Sequence, residues 1–546
     1  MSTVAANMGI WSILPPLLTI VIALVFKDVM LALVIGIFSG LMVVNGCNVA
    51  SSAIQMVDLI ASCLTDSWNI RIFLFCALLG SFVAILSRTG SAGAFGAWAA
   101  NKLKSRRGTL AFTFFFGILI FIDDYFNSLS VGTAMRPVCD KMRISRAKLA
   151  YILDSTAAPI CIIAPVSSWV VTVMSYVRKA DGFDKLKISE FDFFLQMIPY
   201  NLYVIFTLLF IVVLIAFQRD FGPMRQAEQL AMRDGKLFDE ETYGKNTCED
   251  TPSVNERAKP VDMILPLLTL IFIAVVSFPL TTCYNVVKDG KAANISAAYK
   301  SMSLMDAFRN TDVSSALFYT IVISLLLVIL WFILRGLLNL NEISDSIMSG
   351  IKSMIPALVI LALAWTIGGV IRNAPSDGGV GLANYLSLLV KNGNFPFVLL
   401  PCSVFLISCL IAFSTGTSWG CMAIMIPVTM PIAMAAAETI APANQLGAIL
   451  FITGAAVGGA IFGDHASPIS DTTILSATGA GCPCLEHVTT QLPYAGFIAV
   501  CAGAGYIAGS FSMSLIVALI ISCMVFVAGV IILPRLRKRK TEDISQ

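Results

Sequence analysis

The chain has 546 residues, of which 57% are hydrophobic and 13% charged, and a mean hydropathy of +0.85. A soluble domain carries roughly 25% charged residues, so composition excludes a water-soluble enzyme or scaffold and points to a polytopic membrane protein. The net charge of +3 implies no nucleic-acid partner, since most of the basic residues lie in loops and in the tail Arg535 to Lys540.

The opening MSTVAANMGIW has neither a basic leader nor a small-residue cleavage site, so the first apolar run is expected to be a retained span. A span needs about 20 apolar residues. Spans are predicted at 10–26, 29–45, 71–88, 149–177, 197–217, 263–282, 315–338, 353–371, 446–475, 492–509 and 512–532. The 14 cysteines fall mostly within apolar runs and read as small buried hydrophobes. Cys482 and Cys484 form a close pair, but two ligands do not make a metal site.

Two further apolar segments, 108–137 and 396–436, do not read as single helices. The first has Lys102, Lys104, Arg106 and Arg107 before it and Arg136, Lys141, Arg143, Arg146 and Lys148 after it. Positive charge favours the cytoplasm, so both flanks belong on one face and the segment should be a re-entrant hairpin with its tip near FIDDYFNS, 121–128. The second has only Lys391 and Glu438 on its flanks, which suits the outer face, and its centre FSTGTSWG, 413–420, sits where the first hairpin has its acids.

Each half then reads as three spans, a hairpin and two spans. Five crossings per half is an odd number, so the second copy must be inverted. The expected fold is all-α and polytopic, with about 11 transmembrane helices plus two re-entrant hairpins in two inverted-topology repeats. The repeats would cover 1–217 and 263–509, joined by a cytoplasmic connector at 218–262 and followed by an extra helix at 510–534 and a cytoplasmic basic tail at 535–546. Broken helices in inverted repeats are the design of a secondary transporter rather than an open pore. There is no GxxxxGK[ST], so drive by ATP from this chain is not expected.

Residues 392–534 contain no lysine or arginine, yet 462–473 read FGDHASPISDTT directly after the apolar run LGAILFITGAAVGGAIF. Ionisable groups at membrane depth are expensive and are kept for ion or substrate handling. Pro468 and Gly463 should break the helix there and free backbone carbonyls.

Two long motifs carry a family resemblance. FGDHASPISDTTILSATGAG with TTQLPY at 489–494, and FIDDYFNSLSVGTAMRPVCDKMRISRAKLAYILDSTAAPICIIAPVSSW from Phe121, resemble the two repeat signatures of the NhaC-type Na+/H+ antiporters. The resemblance implies an ion transporter with paired hairpins in the cell (inner) membrane, multi-pass and homodimeric, exchanging Na+ for H+. It also implies relatives that exchange organic solutes.

Na+ is a hard cation that takes oxygen ligands from carboxylates, hydroxyls and carbonyls. The first repeat offers Asp123, Asp124, Asn127, Ser128, Asp154, Ser155 and Thr156; the second offers Ser414, Thr415, Thr417, Ser418, Asp464, Ser467, Ser470, Asp471 and Thr472. Asp154, Asp464 and Asp471 are the expected Na+ carboxylates. Of Asp123 and Asp124, one should face the site while the other caps a helix, with Asp124 favoured for the site. Asp471, Ser470 and Thr472 could cap the helix that restarts after Pro468. His465 could relay protons or simply orient its loop. Arg136, just past the first hairpin, reads as a cytoplasmic interface anchor rather than a substrate contact.

Burial disfavours a charged carboxylate and a nearby cation restores it, so such a site holds either a proton or Na+. No covalent chemistry and no cofactor are needed; Na+, H+ and the lipid bilayer are the expected partners, and the chain is not an enzyme. The rival is a Na+- or H+-coupled carrier of a dicarboxylate or amino acid. That cargo would call for a cationic group in the site, and none occurs between residues 392 and 534, although helix N-termini at the hairpin hydroxyls 414–418 could also hold a carboxylate.

Overall fold

The computed structural model describes residues 8–536 apart from 27, 166, 181–182, 245–256, 310, 383 and 386–396. Lys391, part of the connector and the tail from 537 onward lie outside the described residues. The described residues form helices and no strands, and nine of the helices are long and apolar enough to cross a bilayer. Large apolar side chains such as Phe272, Leu326 and Ile516 point outward, as a lipid-facing surface requires. The chain is an all-α polytopic membrane protein.

The expected spans appear as Leu14–Phe26, Val29–Val44, Ser67–Arg88, Leu202–Phe217, Val261–Lys288, Val313–Leu334, Leu340–Arg372, Cys484–Ser512 and Leu515–Leu536. The span predicted at 353–371 begins much earlier, at Leu340, because Asn339 and Glu342 close a reciprocal capping box around its polar first turns. Hydropathy registers only the apolar part of such a helix. The span predicted at 492–509 likewise begins at Cys484, so its polar first turns carry His487 and Gln491.

Both hairpins are present. The first comprises Arg106–Leu119 and Asp124–Lys141, joined by the non-helical residues 120–123. Arg106 Nη1 donates to the carbonyl of Arg143 at 2.6 Å, so the two ends of the hairpin meet on one face. The second comprises Leu400–Thr415 and Ser418–Ala437. Its turn needs Gly416, where φ is +68° and a Cβ would lie 2.7 Å from the carbonyl oxygen of Ile469.

Each hairpin is followed by a broken helix: Arg146–Cys161 then Ser168–Arg178, and Pro442–Ala466 then Asp471–Ala480. Pro468 lies in the second break as expected, but Gly463 does not. It is helical, and a Cβ there would lie 2.5 Å from both Ala412 Cβ and the carbonyl oxygen of Cys409. Its role is close packing against the second hairpin.

The halves interlock reciprocally. Helix 124–141 packs on Asp471–Ala480, and helix 418–437 packs on Ser168–Arg178. The first crossing is close at Gly132 and Gly479, where a Cβ on Gly132 would come within 2.6 Å of the facing backbone. At the second, Trp169 and Trp419 meet edge to face with ring centroids 5.7 Å apart. Each half thus lends a hairpin helix to the broken helix of the other.

Candidate functional site

The four breaks bring four half-helix N-termini into this interlocked core. Asp123, Ser167, Thr417 and Ser470 cap them by accepting from Phe126, Val170, Gly420 and Thr473 backbone N–H groups. Asp123 is therefore a cap, as one of the two adjacent aspartates was expected to be. The cap after Pro468 is Ser470 rather than Asp471.

Asp464 joins three of these elements. It accepts from Ser470 Oγ at 2.6 Å, Ser418 Oγ at 2.8 Å and Thr472 Oγ1 at 3.2 Å. Ser418 begins the returning helix of the second hairpin, while Ser470 caps the half-helix after the break and Thr472 lies in its first turn. The carboxylate is buried and its hydroxyl donors come from positions up to 46 residues away in sequence. The fold therefore builds a polar pocket around an acid that the helix alone would leave unsolvated.

Asp154 is the centre of the second group. Its Oδ2 accepts from Gln491 Nε2 at 2.6 Å and Thr473 Oγ1 at 3.3 Å, and His487 Nε2 lies 3.3 Å away without a directed hydrogen bond. Pro159 has no N–H to offer the carbonyl of Ser155, so that oxygen is released from the helix ladder. The two groups are linked: Thr473 Oγ1 also approaches the carbonyl of Asp464 at 3.4 Å. His465 bridges them structurally, its ring contacting Tyr203 Oη at 3.2 Å and the Asp154 carbonyl at 3.1 Å. It touches no carboxylate, which favours orientation over proton relay.

The first hairpin supplies oxygens without donors. Asn127 Nδ2 donates to the carbonyls of Gly117, Ile120 and Thr156 at 2.7, 2.9 and 3.2 Å, tying the hairpin's non-helical tip to the broken helix. Its Oδ1 is buried and unbonded, as are both carboxylate oxygens of Asp124, Asp154 Oδ1 and Ser155 Oγ. Buried polar atoms are nearly always satisfied. Five such oxygens lie on two helices packed against each other, and oxygen is the ligand a hard cation takes.

Other expected ligands stand apart. Thr156 and Thr415 bond back to Ile152 and Ile411 carbonyls, the ordinary use of threonine in a membrane helix. Ser467 accepts from the Ile469 N–H, and Ser414 is half-buried in the same last turn as Thr415. Ser128 meets Ser476 at 3.0 Å across the Gly132–Gly479 crossing. Asp471, expected beside Asp154 and Asp464, is exposed and bonded to Tyr125 Oη at 3.3 Å. As first residue of its half-helix it points away from the break that Asp464 closes.

Sequence reasoning missed His487, Gln491, Thr473 and Tyr203. His487 and Gln491 are four apart, hence on one helix face, a signal that was readable; nothing marked Tyr203. Among the described residues no three His, Cys, Asp or Glu side chains come together as a metal-binding group, so the chemistry on offer is that of mixed oxygen ligands.

The profile of the Na+/H+ antiporter family matches residues 160–511. An uncharacterized protein of Haemophilus influenzae is 36% identical over 524 residues, 94% of this chain and 93% of its own. A protein of the same organism described as an uncharacterized Na+/H+ antiporter is 30% identical over 151 residues, 28% of this chain and 29% of its own. A malate-2H+/Na+-lactate antiporter of Bacillus subtilis is 28% identical over 208 residues, 37% of this chain and 41% of its own.

Proposed function

Since the chain belongs to the Na+/H+ antiporter family, a family of membrane transporters and not of enzymes, we propose that it exchanges Na+ for H+ by alternating access. The ion site lies among Asp124, Asp154 and Asp464. The observation that carries this reading is the set of buried oxygens left without donors: Asp124 Oδ1 and Oδ2, Asn127 Oδ1, Asp154 Oδ1 and Ser155 Oγ. A desolvated carboxylate needs a proton or a cation, and it cannot hold both. Each ion therefore displaces the other, and a proton gradient across the two access states moves Na+ outward. His487, 3.3 Å from Asp154, gives the site a second proton acceptor.

The test is transport by the purified chain in liposomes enclosing a pH-sensitive dye. Na+ or Li+ added without any organic solute should move protons, and K+ should do so far less. Silence toward all three cations, in vesicles shown to contain inserted protein, would sink the exchange reading.

A second reading, coupling to an organic anion, is favoured by the similarity to the malate-2H+/Na+-lactate antiporter of Bacillus subtilis. The half-helix N-termini starting at Asp124, Ser168, Ser418 and Asp471 also carry partial positive charge suited to a carboxylate.

A further inference from the structure

Arg136, which reads in the sequence as a cytoplasmic interface anchor rather than a substrate contact, stands beside a cavity in the structure. It lines this cavity, of about 350 Å³, with Ser87, Gly90, Ser130, Thr133 and Thr478, between the turn after Ser67–Arg88, the returning helix of the first hairpin and the half-helix Asp471–Ala480. Two neighbouring arginines are paired, Arg106 with Glu228 and Arg146 with Asp140. Arg146 also donates to the Gly481 carbonyl at 3.0 Å, so the half-helix C-terminus has its cation. Arg136 packs over the same glycine but has no carboxylate or hydrogen-bond partner among the described residues.

Two of the hydroxyls beside it, on Ser130 and Thr133, are also unpaired among the described residues. Ser130 is only 5% exposed and, like Thr133, makes no hydrogen bond among the described residues. Elsewhere in this fold Thr113, Thr172 and Ser175 bond back to their own helices. A half-buried guanidinium without a counter-ion is costly, and its planar fork matches a carboxylate in two parallel hydrogen bonds. The cavity falls within the size range of small-molecule pockets, roughly 300–1,000 Å³.

We propose that this cavity binds the carboxylate of a small organic anion, held by the Arg136 fork and by the hydroxyls of Ser130 and Thr133. The proposal rests on the reading of the chain as an exchanger that couples ions to a solute. The cation absent from residues 392–534 is supplied by the first repeat, which folds it against the second. The cavity wall also reaches the ion site: Ser128 bonds Ser476 at 3.0 Å, and the half-helix carrying Ser476 is capped by Ser470, which holds Asp464 at 2.6 Å.

The experiment is ligand-dependent thermal stabilisation of the purified full chain. The probes are acetate, lactate, malate, succinate and glutamate, with chloride and phosphate as controls at matched ionic strength. At least one carboxylate should raise Tm saturably. Arg136→Gln should weaken that binding about tenfold or more, Arg136→Lys should keep part of it, and Ser130→Ala should weaken it several-fold in a protein of parental Tm without ligand. No carboxylate effect on the parent chain, stabilisation by chloride or phosphate alone, or parental affinity in Arg136→Gln overturns the proposal. Because the readout is binding, absent Na+-driven proton flux would sink the exchange reading while leaving this one standing.

Discussion

Asp123 and Asp124 are neighbours with opposite duties. Asp123 Oδ1 accepts the Phe126 N–H at 3.0 Å, whereas both oxygens of Asp124 are buried and unbonded. Asparagine caps a helix about as well as aspartate, so Asp123→Asn should retain exchange, while Asp124→Asn should lose it in a folded protein. Asp154→Asn and Asp464→Asn remove a charge at constant volume. Hydrogen bonds to charged groups are worth about 1.5–3 kcal/mol, which converts to roughly ten- to hundredfold in apparent Na+ affinity. Proton flux as a function of Na+ in reconstituted vesicles measures both pairs. Parental flux in Asp154→Asn and Asp464→Asn would leave these acids as packing groups.

Among the elements, each hairpin turns the chain back on itself beside the polar core. The Arg106–Arg143 contact at 2.6 Å closes the base of the first, so its two ends share one face. In a cysteine-free variant, cysteines at the exposed positions Lys104 and Lys141 should both react with an impermeant reagent from the same side. Reaction from opposite sides would dismiss the hairpin. The crossing at Gly132 and Gly479 has no room for a side chain, since Cβ atoms there would come within 2.6 and 2.5 Å of facing backbone. Overpacking costs typically about 1–3 kcal/mol, so Gly479→Val should lower Tm and transport together, with Gly503→Val, where no atom lies within 4 Å, as the neutral comparison.

At the scale of the whole molecule, the connector between the repeats is fastened to the transport elements. Lys148 Nζ lies 2.5 Å from Asp220 Oδ1, and Tyr494 Oη donates to the same oxygen at 2.7 Å. Glu228 pairs with Arg106 and accepts from the Ser145 N–H at 2.9 Å. Lys148 and Asp220 are both nearly buried, with side chains 1% and 8% exposed. Leaving one buried charge unpaired costs about 3–5 kcal/mol. Asp220→Leu should therefore lower Tm markedly, and the double variant with Lys148→Met should recover much of the loss. Equal melting of single and double variants would show that the pair does not hold the connector.

The sequence by itself determined the membrane class, the span order, both hairpins and the two broken helices, because apolar runs, flanking charge and helix breakers act locally. It also marked Asp154, Asp464 and the Asp123–Asp124 pair, since acids in apolar runs need a reason. Only the tertiary structure decided which of these acids are satisfied. Asp464 owes its donors to Ser418, Ser470 and Thr472, and Asp154 owes its own to Gln491, 337 residues away. Hydrogen-bond partners at that separation follow from how helices cross, which no local pattern encodes. The same holds for Arg136: basic-loop chemistry described its neighbours in sequence, and the packing of one repeat against the other set its neighbours in space.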